Sequence, residues 1–263
     1  MPQCIRWGIV GTGAIAKKFA SAIKQVDGAE LVAVASRSQT SADTFACEFD
    51  VPQTYASYEA MANDSTVDVV YIATPHPYHC ENTQLFLNAK KAVLCEKPFA
   101  MNAKQAQEMI ACARKNNVFL MEAMWTRTIP ENMAVRALLE QGVIGEVKSL
   151  QASFGFRAQW QPEGRLFNKA LGGGALLDVG IYVVSYASMI FGKPPDTISG
   201  FAQIGTTGVD EQNAMIFGYN SGQMATLLSA VRSELDNQAV IYGEKGKIVV
   251  PRFWDATSYV LCV

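Results

Sequence analysis

Apolar positions in the first 125 residues concentrate in short β-rich runs separated by stretches of helical period. The runs lie at 5–10, 31–36, 67–74, 92–96 and 118–122, and each predicts a strand. Between the first two, Ile15, Phe19, Ile23 and Val26 recur at helical spacing, and amphipathic segments follow at about 42–49, 78–89 and 103–115. Strands without polar alternation, separated by helices, predict a parallel sheet covered on both faces. That is a doubly wound α/β arrangement, whose ligands sit outside the carboxyl ends of the strands.

The texture changes after Trp125. A helical pattern at about 130–141 stops near Gly142, and 148–156 then alternates, with Leu150, Ala152, Phe154 and Phe156 on one face. A long apolar helix over 171–191 is followed by strand-like runs at 197–204, 213–219, 223–231, 238–242 and 248–250. Turn signals such as Asn220-Ser221-Gly222 and Glu244-Lys245-Gly246 separate these runs, as in a meander. The pattern predicts two domains: residues 1–124 as a dinucleotide-binding domain, and 125–263 as an α+β substrate domain with a predominantly antiparallel open sheet.

Composition narrows the classes. With 49% apolar and 17% charged residues the chain has ample material for cores, and a net charge of -2 without any basic stripe argues against nucleic-acid partners. The six cysteines, at 4, 47, 80, 95, 112 and 262, form no C-x-x-C pair or metal-ligand spacing and read as reduced thiols of a cytoplasmic protein. The 171–191 stretch raises a membrane question, but Asp178 near its centre costs about 3 kcal/mol on insertion scales. It is read as a buried helix, not as a span.

The first strand runs into Gly11-Thr12-Gly13-Ala14-Ile15-Ala16, a G-x-G-x-x-A turn that opens a helix. The first glycine permits the tight turn, the second lets backbone N–H groups approach a pyrophosphate, and Ala16 allows close helix–sheet packing. Such a triplet alone is weak; the strand before it and the helix after it give it the context of a Rossmann-type nucleotide site. An acidic residue for the ribose hydroxyls of NAD is expected at the end of the second strand. Ser36-Arg37-Ser38 stands there instead, and an arginine flanked by hydroxyls suits the 2′-phosphate of NADP. A solvated surface arginine is the plainer alternative.

Three further segments carry candidate chemistry. The third strand ends in Thr74-Pro75-His76-Pro77-Tyr78-His79, which contains both histidines of the chain. Two ligands without a nearby acidic third make a poor metal site, so no metal is expected; a border of the cofactor, through Thr74, Pro75, His76 and His79, and a structural role both stand. The fourth strand ends in Cys95-Glu96-Lys97-Pro98, placing Glu96 and Lys97 at the cofactor edge, where the ammonium can stabilise a developing alkoxide. In the second half, Asp178 and Tyr182 are four apart on the long helix. They read either as an acid–base pair or as a local cap with a core tyrosine.

With G-x-G-x-x-A, E-K-P and a later D-x-x-x-Y in that order, the chain resembles the glucose–fructose oxidoreductase and inositol dehydrogenase (Gfo/Idh/MocA) family from Ile5 to about Val250. Glu122-Ala123-Met124-Trp125-Thr126-Arg127 and the Gly-Gly-Ala-Leu-Leu-Asp-x-Gly-Ile-Tyr segment look most like its branch that oxidises aromatic trans-dihydrodiols and D-xylose with NADP. The resemblance implies Lys97 beside the nicotinamide, fixed by a cis Lys97–Pro98 peptide. It implies Tyr182 as the acceptor of the hydroxyl proton, Asp178 on substrate hydroxyls, and Trp125, Phe154 and Trp254 as an aromatic pocket. It further implies a homodimer formed through the C-terminal sheet. Members of the family usually continue for several tens of residues more, so the resemblance implies a shortened C-terminal domain.

Overall fold

The computed structural model describes residues 4–263; the first three residues of the expected nucleotide domain lie outside the described residues. The chain divides into two compact units, one ending at Ala123 and the other beginning at Met124.

In the first unit, β1 (Ile5–Val10), α1 (Ala14–Ile23), β2 (Ala29–Ala35), α2 (Gln39–Phe49), β3 (Gln53–Tyr55), α3 (Tyr58–Ala62), β4 (Val69–Ile72), α4 (His79–Asn88), β5 (Ala92–Cys95), α5 (Ala103–Asn116) and β6 (Leu120–Glu122) follow in order. The strands form one six-stranded sheet in the order β3-β2-β1-β4-β5-β6, and every pair is parallel. Successive strand residues enter opposite cores: Ile9 joins Ala16, Ala20, Val34 and Phe45 on one face, while Val10 joins Ile72, Phe86, Val93 and Met109 on the other. Burial on both faces is why the strands show no polar alternation. The edge strand β3 and helix α3 escape the sequence pattern because Gln53-Thr54-Tyr55 carries no apolar run and α3 has only five residues. The strand order reverses between β1 and β4, so the carboxyl ends of these two strands form the switch point at which such sheets bind ligands.

The second unit contains α6 (Pro130–Glu140), β7 (Val147–Gly155), α7 (Ile181–Phe191), β8 (Thr197–Ile204), β9 (Asp210–Gly218), β10 (Met224–Ala230), β11 (Gln238–Gly243), β12 (Lys247–Pro251) and β13 (Val260–Cys262). Its seven strands are ordered β13-β12-β11-β7-β10-β9-β8. The sheet is antiparallel except where β10 lies parallel to β7. That exception arises because the chain leaves β7 through a long excursion with α7, then returns as the β8–β10 meander. Phe156 falls just beyond β7, so the predicted alternation ends one residue early. The last strand, β13, is too short for a periodic signal.

The expected continuous helix over 171–191 is a correction. A 3₁₀ turn at Lys169–Leu171, a π-turn at Leu176–Gly180 and α7 replace it. Gly172 and Gly174 lie at φ +71° and +116°, in the left-handed region that interrupts a helix. The 169–191 run has a mean hydropathy of 1.6 and enough length to cross a membrane, yet 56% of that window is buried inside the fold. It behaves as a core element: Val183, Tyr186 and Ala187 pack against Leu150, Ala225, Leu227 and Phe253.

Candidate active site

The glycine turn has the features of a phosphate cradle. Gly11 sits at φ +99°, and a Cβ there would lie 2.8 Å from the carbonyl oxygen of Ala73, at the switch point. Only glycine fits. Around Gly13, by contrast, a Cβ would meet no neighbouring protein atom within 4 Å, so packing does not require glycine there and the turn is open. Gly13 is the N-cap of α1 and its cap makes no side-chain hydrogen bond, which leaves N–H groups of the first turn aimed outward. Thr12 is half-buried beside this turn, while Ala14 and Ile15 are exposed on it. The residues present therefore fit a dinucleotide.

At the end of β2, Ser36 is half-buried and Arg37 is exposed, with its guanidinium carbon 5.7 Å from the centre of the Tyr78 ring. Ser38 is engaged as the N-cap of α2, its hydroxyl accepting from Ser41 N–H, so of the two flanking hydroxyls Ser38 is committed to the fold.

The end of β4 corrects one assignment. His79 is completely buried, with Nδ1 2.8 Å from the Pro98 carbonyl oxygen and Nε2 2.8 Å from that of Thr74. Both ring nitrogens face backbone carbonyl oxygens, one of which takes the N–H of the neutral ring, so His79 belongs to the scaffold and not among cofactor ligands. Burial lowers its pKa below the usual imidazole range, outweighing the two carbonyls that favour the charged ring. The Thr74 hydroxyl accepts from Asn82 Nδ2 at 3.2 Å, Pro75 caps the following 3₁₀ turn, and His76 lies buried with its ring 5.7 Å from that of His79. Among the described residues, no group of three His, Cys, Asp or Glu is placed to hold a metal.

At the end of β5, the Lys97–Pro98 peptide is cis. Glu96 is buried; its Oε1 accepts from Tyr71 Oη, and its Oε2 accepts from Lys97 N–H at 3.1 Å. Desolvation raises the Glu96 pKa, against the Tyr71 bond and the Lys97 charge, which favour the carboxylate. Glu96 is thus engaged with protein groups next to Lys97, while Lys97 itself is half-exposed at the carboxyl edge. Burial pushes the neighbouring Cys95 thiol up to about 12, which removes it as a nucleophile at neutral pH.

The second unit gathers the other candidates. Trp125 Nε1 donates to Tyr182 Oη at 3.0 Å, and the Phe154 ring stacks on Trp254 at 3.6 Å while meeting the Tyr182 ring edge-on at 5.5 Å. Trp125 and Phe154 thus contact the tyrosine, and Trp254 stacks on Phe154. An indole N–H can only donate, so it holds the phenol oxygen as an acceptor. Asp178, almost wholly buried, lies in the π-turn before α7 rather than on one regular helix with Tyr182. Its Oδ1 accepts from Arg165 at 2.6 Å.

Sequence reading misses several of these supports. Arg165 falls in a stretch without periodicity. Buried Asn132 donates to the carbonyls of Thr126 and Phe253 at 2.9 and 2.7 Å, tying the Trp125 turn to the Trp254 turn. An asparagine on an apolar helix face is the available signal. Asp210 Oδ2 accepts from Leu176 N–H, and a Cβ on Gly174 would overlap Asp210 Oδ1, so that glycine admits the capping carboxylate.

A doubly wound nucleotide sheet and an open, mostly antiparallel sheet, bearing the E-K-P and D-x-x-x-Y segments, define an oxidoreductase class. Residues 5–124 match the oxidoreductase family with NAD-binding Rossmann fold, and residues 132–249 match the GFO/IDH/MocA C-terminal domain. The chain belongs to this family and is a dehydrogenase with a nicotinamide cofactor. It is 42% identical to trans-1,2-dihydrobenzene-1,2-diol dehydrogenase of Danio rerio over 98% of its own length and 78% of that protein. The Homo sapiens protein of the same name is 40% identical, with the same coverage of both chains. Among solved structures, a 3-ketoreductase from Actinomadura kijaniata in complex with NADP superposes with a TM-score of 0.87 at 26% identity, covering 98% of this chain and 84% of that one. An aldose-aldose oxidoreductase from Caulobacter crescentus shares the fold, with a TM-score of 0.91 at 24% identity over 98% of this chain and 80% of that one.

Proposed function

We propose that the protein is an NADP-dependent dehydrogenase that oxidises the CH–OH group of a trans-dihydrodiol of an aromatic, or of a D-xylose-like aldose. The observation that carries this reading is the contact of Trp125 and Phe154 with Tyr182 and the stacking of Trp254 on Phe154, together with an Asp178 held by Arg165. Flat apolar walls suit the ring of an aromatic diol or the apolar face of a pentose, and a buried carboxylate suits paired hydroxyls. The dihydrodiol dehydrogenases that the chain resembles at 40–42% identity favour the same substrate class.

The nicotinamide, when bound, supplies the hydride acceptor, held through the Gly11–Ile15 turn and the ends of β2, β4 and β5. The protein's residues handle the proton and the charge. Tyr182 takes the hydroxyl proton as the carbinol carbon is oxidised, its oxygen held by the Trp125 N–H. Lys97 supplies positive charge to stabilise the alkoxide character that develops. Asp178 orients substrate hydroxyls. Arg37 pairs with the 2′-phosphate of NADP, and Ser36 adds a hydroxyl.

The cofactor assignment is tested with Arg37→Ala. Loss of a charge-assisted pair of about 2 kcal/mol raises KM for NADP+ roughly 30-fold and leaves KM for NAD+ nearly unchanged. Equal effects on both cofactors would contradict the role of Arg37.

The open face of the second sheet presents Phe201, Ile216, Met224 and Leu228, all exposed, alongside Gln151 and Tyr242. This half-apolar face fits a homodimer, and sedimentation equilibrium is expected to show a dimer that Phe201→Glu combined with Leu228→Glu converts to monomer. A wild-type monomer at micromolar concentration would refute it. Six unpaired cysteines suit a cytoplasmic setting.

A further inference from the structure

The backbone that carries Lys97 is gripped by side chains at three consecutive residues. Glu96 Oε2 accepts from the Lys97 N–H at 3.1 Å, His79 Nδ1 lies 2.8 Å from the Pro98 carbonyl oxygen, and Glu122 Oε1 accepts from the Phe99 N–H at 3.0 Å. The three come from different elements: Glu96 follows β5, His79 opens α4 and Glu122 ends β6. Beyond Cys95 the strand ladder has ended, so these side chains replace the sheet bonds that fix a strand interior.

We propose that Glu122 is a positioning residue for the reaction: by holding the Phe99 peptide from the neighbouring strand, it sets the direction in which Lys97 leaves the sheet edge. This rests on the assignment of Lys97 above. A carboxylate is a stronger acceptor for a main-chain N–H than a neutral oxygen or water, and it arrives on a strand that is itself part of the sheet. Of the three grips, it is the one supplied from the β6 side. Without it, the Phe99 N–H loses its carboxylate acceptor, and the residue after the proline is held less firmly.

The test compares Glu122→Ala, Glu122→Gln and Lys97→Met in the full chain, measuring kcat, NADP+ affinity and thermal unfolding. Displacing a reacting group by about 1 Å costs on the order of 10²-fold, so Glu122→Ala is expected to lower kcat roughly 10- to 100-fold while the Kd for NADP+ stays within about twofold. Glu122→Gln keeps an acceptor oxygen at the same reach and is expected to recover most of that loss. Retention of wild-type kcat by the alanine variant would overturn the proposal. So would a loss that tracks lost folding or lost NADP+ affinity, and so would a glutamine variant as impaired as the alanine one. Lys97→Met reports separately on the underlying assignment: a folded, nucleotide-binding but inactive protein upholds it, and an active one removes it whatever the Glu122 variants do.

Discussion

Tyr182→Phe is expected to lower kcat by about 10³-fold while leaving NADPH binding and folding nearly intact, since general acid–base groups contribute 10²- to 10⁴-fold. The substitution removes one oxygen and keeps the ring that meets Phe154 edge-on. What is lost is the atom that Trp125 Nε1 addresses at 3.0 Å. The Trp125 indole is part-exposed, so its N–H turns to water and the core is not left with an orphaned donor. Chemistry should therefore fall without stability. Steady-state kinetics beside nucleotide fluorescence titration check this, and wild-type turnover in the Tyr182→Phe variant would remove the tyrosine from the mechanism.

Gly11→Ala is expected to abolish nucleotide binding and to destabilise the first unit by roughly 3 kcal/mol or more. The left-handed backbone at φ +99° costs a non-glycine residue about 1–3 kcal/mol, and the new Cβ lies 2.8 Å from a main-chain oxygen that cannot rotate away. The turn must open to relieve this, and opening it carries the α1 N-terminus off its line. Gly13→Ala is the informative comparison: with no protein atom near its Cβ, folding should be kept while NADPH affinity falls. Chemical denaturation and NADPH titration of both variants check the pair, and a stable, NADPH-binding Gly11→Ala protein would contradict the account of the cradle.

Much of this architecture is legible in the sequence because burial on both faces imposes runs such as Ile5–Val10 and Ala92–Cys95, and a tight phosphate turn demands glycine. The local pattern fails where long-range partners decide. His79 reads as a ligand because it follows a strand at the carboxyl edge; its role is set by carbonyls at Thr74 and Pro98, the second 19 residues away. Asp178 and Tyr182 read as neighbours on a regular 3.6-residue helix, whereas Asp178 lies in a π-turn over Leu176–Gly180 whose Leu176 N–H donates to Asp210. Arg165 carries no periodic or motif signal, Asn132 shows only as a polar residue on an apolar helix face, and Glu122 only as part of a family-like segment, because the backbone or carboxylate partner of each is supplied by the folded chain.

The most direct measurement of the central claim follows a label. The purified protein is mixed with NADP+ and trans-1,2-dihydrobenzene-1,2-diol deuterated at its carbinol carbons, with D-xylose deuterated at C1 in parallel, and the nicotinamide is then read by NMR. The account predicts deuterium at C4 of newly formed NADPH with at least one of the two substrates, and transfer about 10³-fold slower with Tyr182→Phe. NADPH binding without any transfer of the label from either substrate would contradict it.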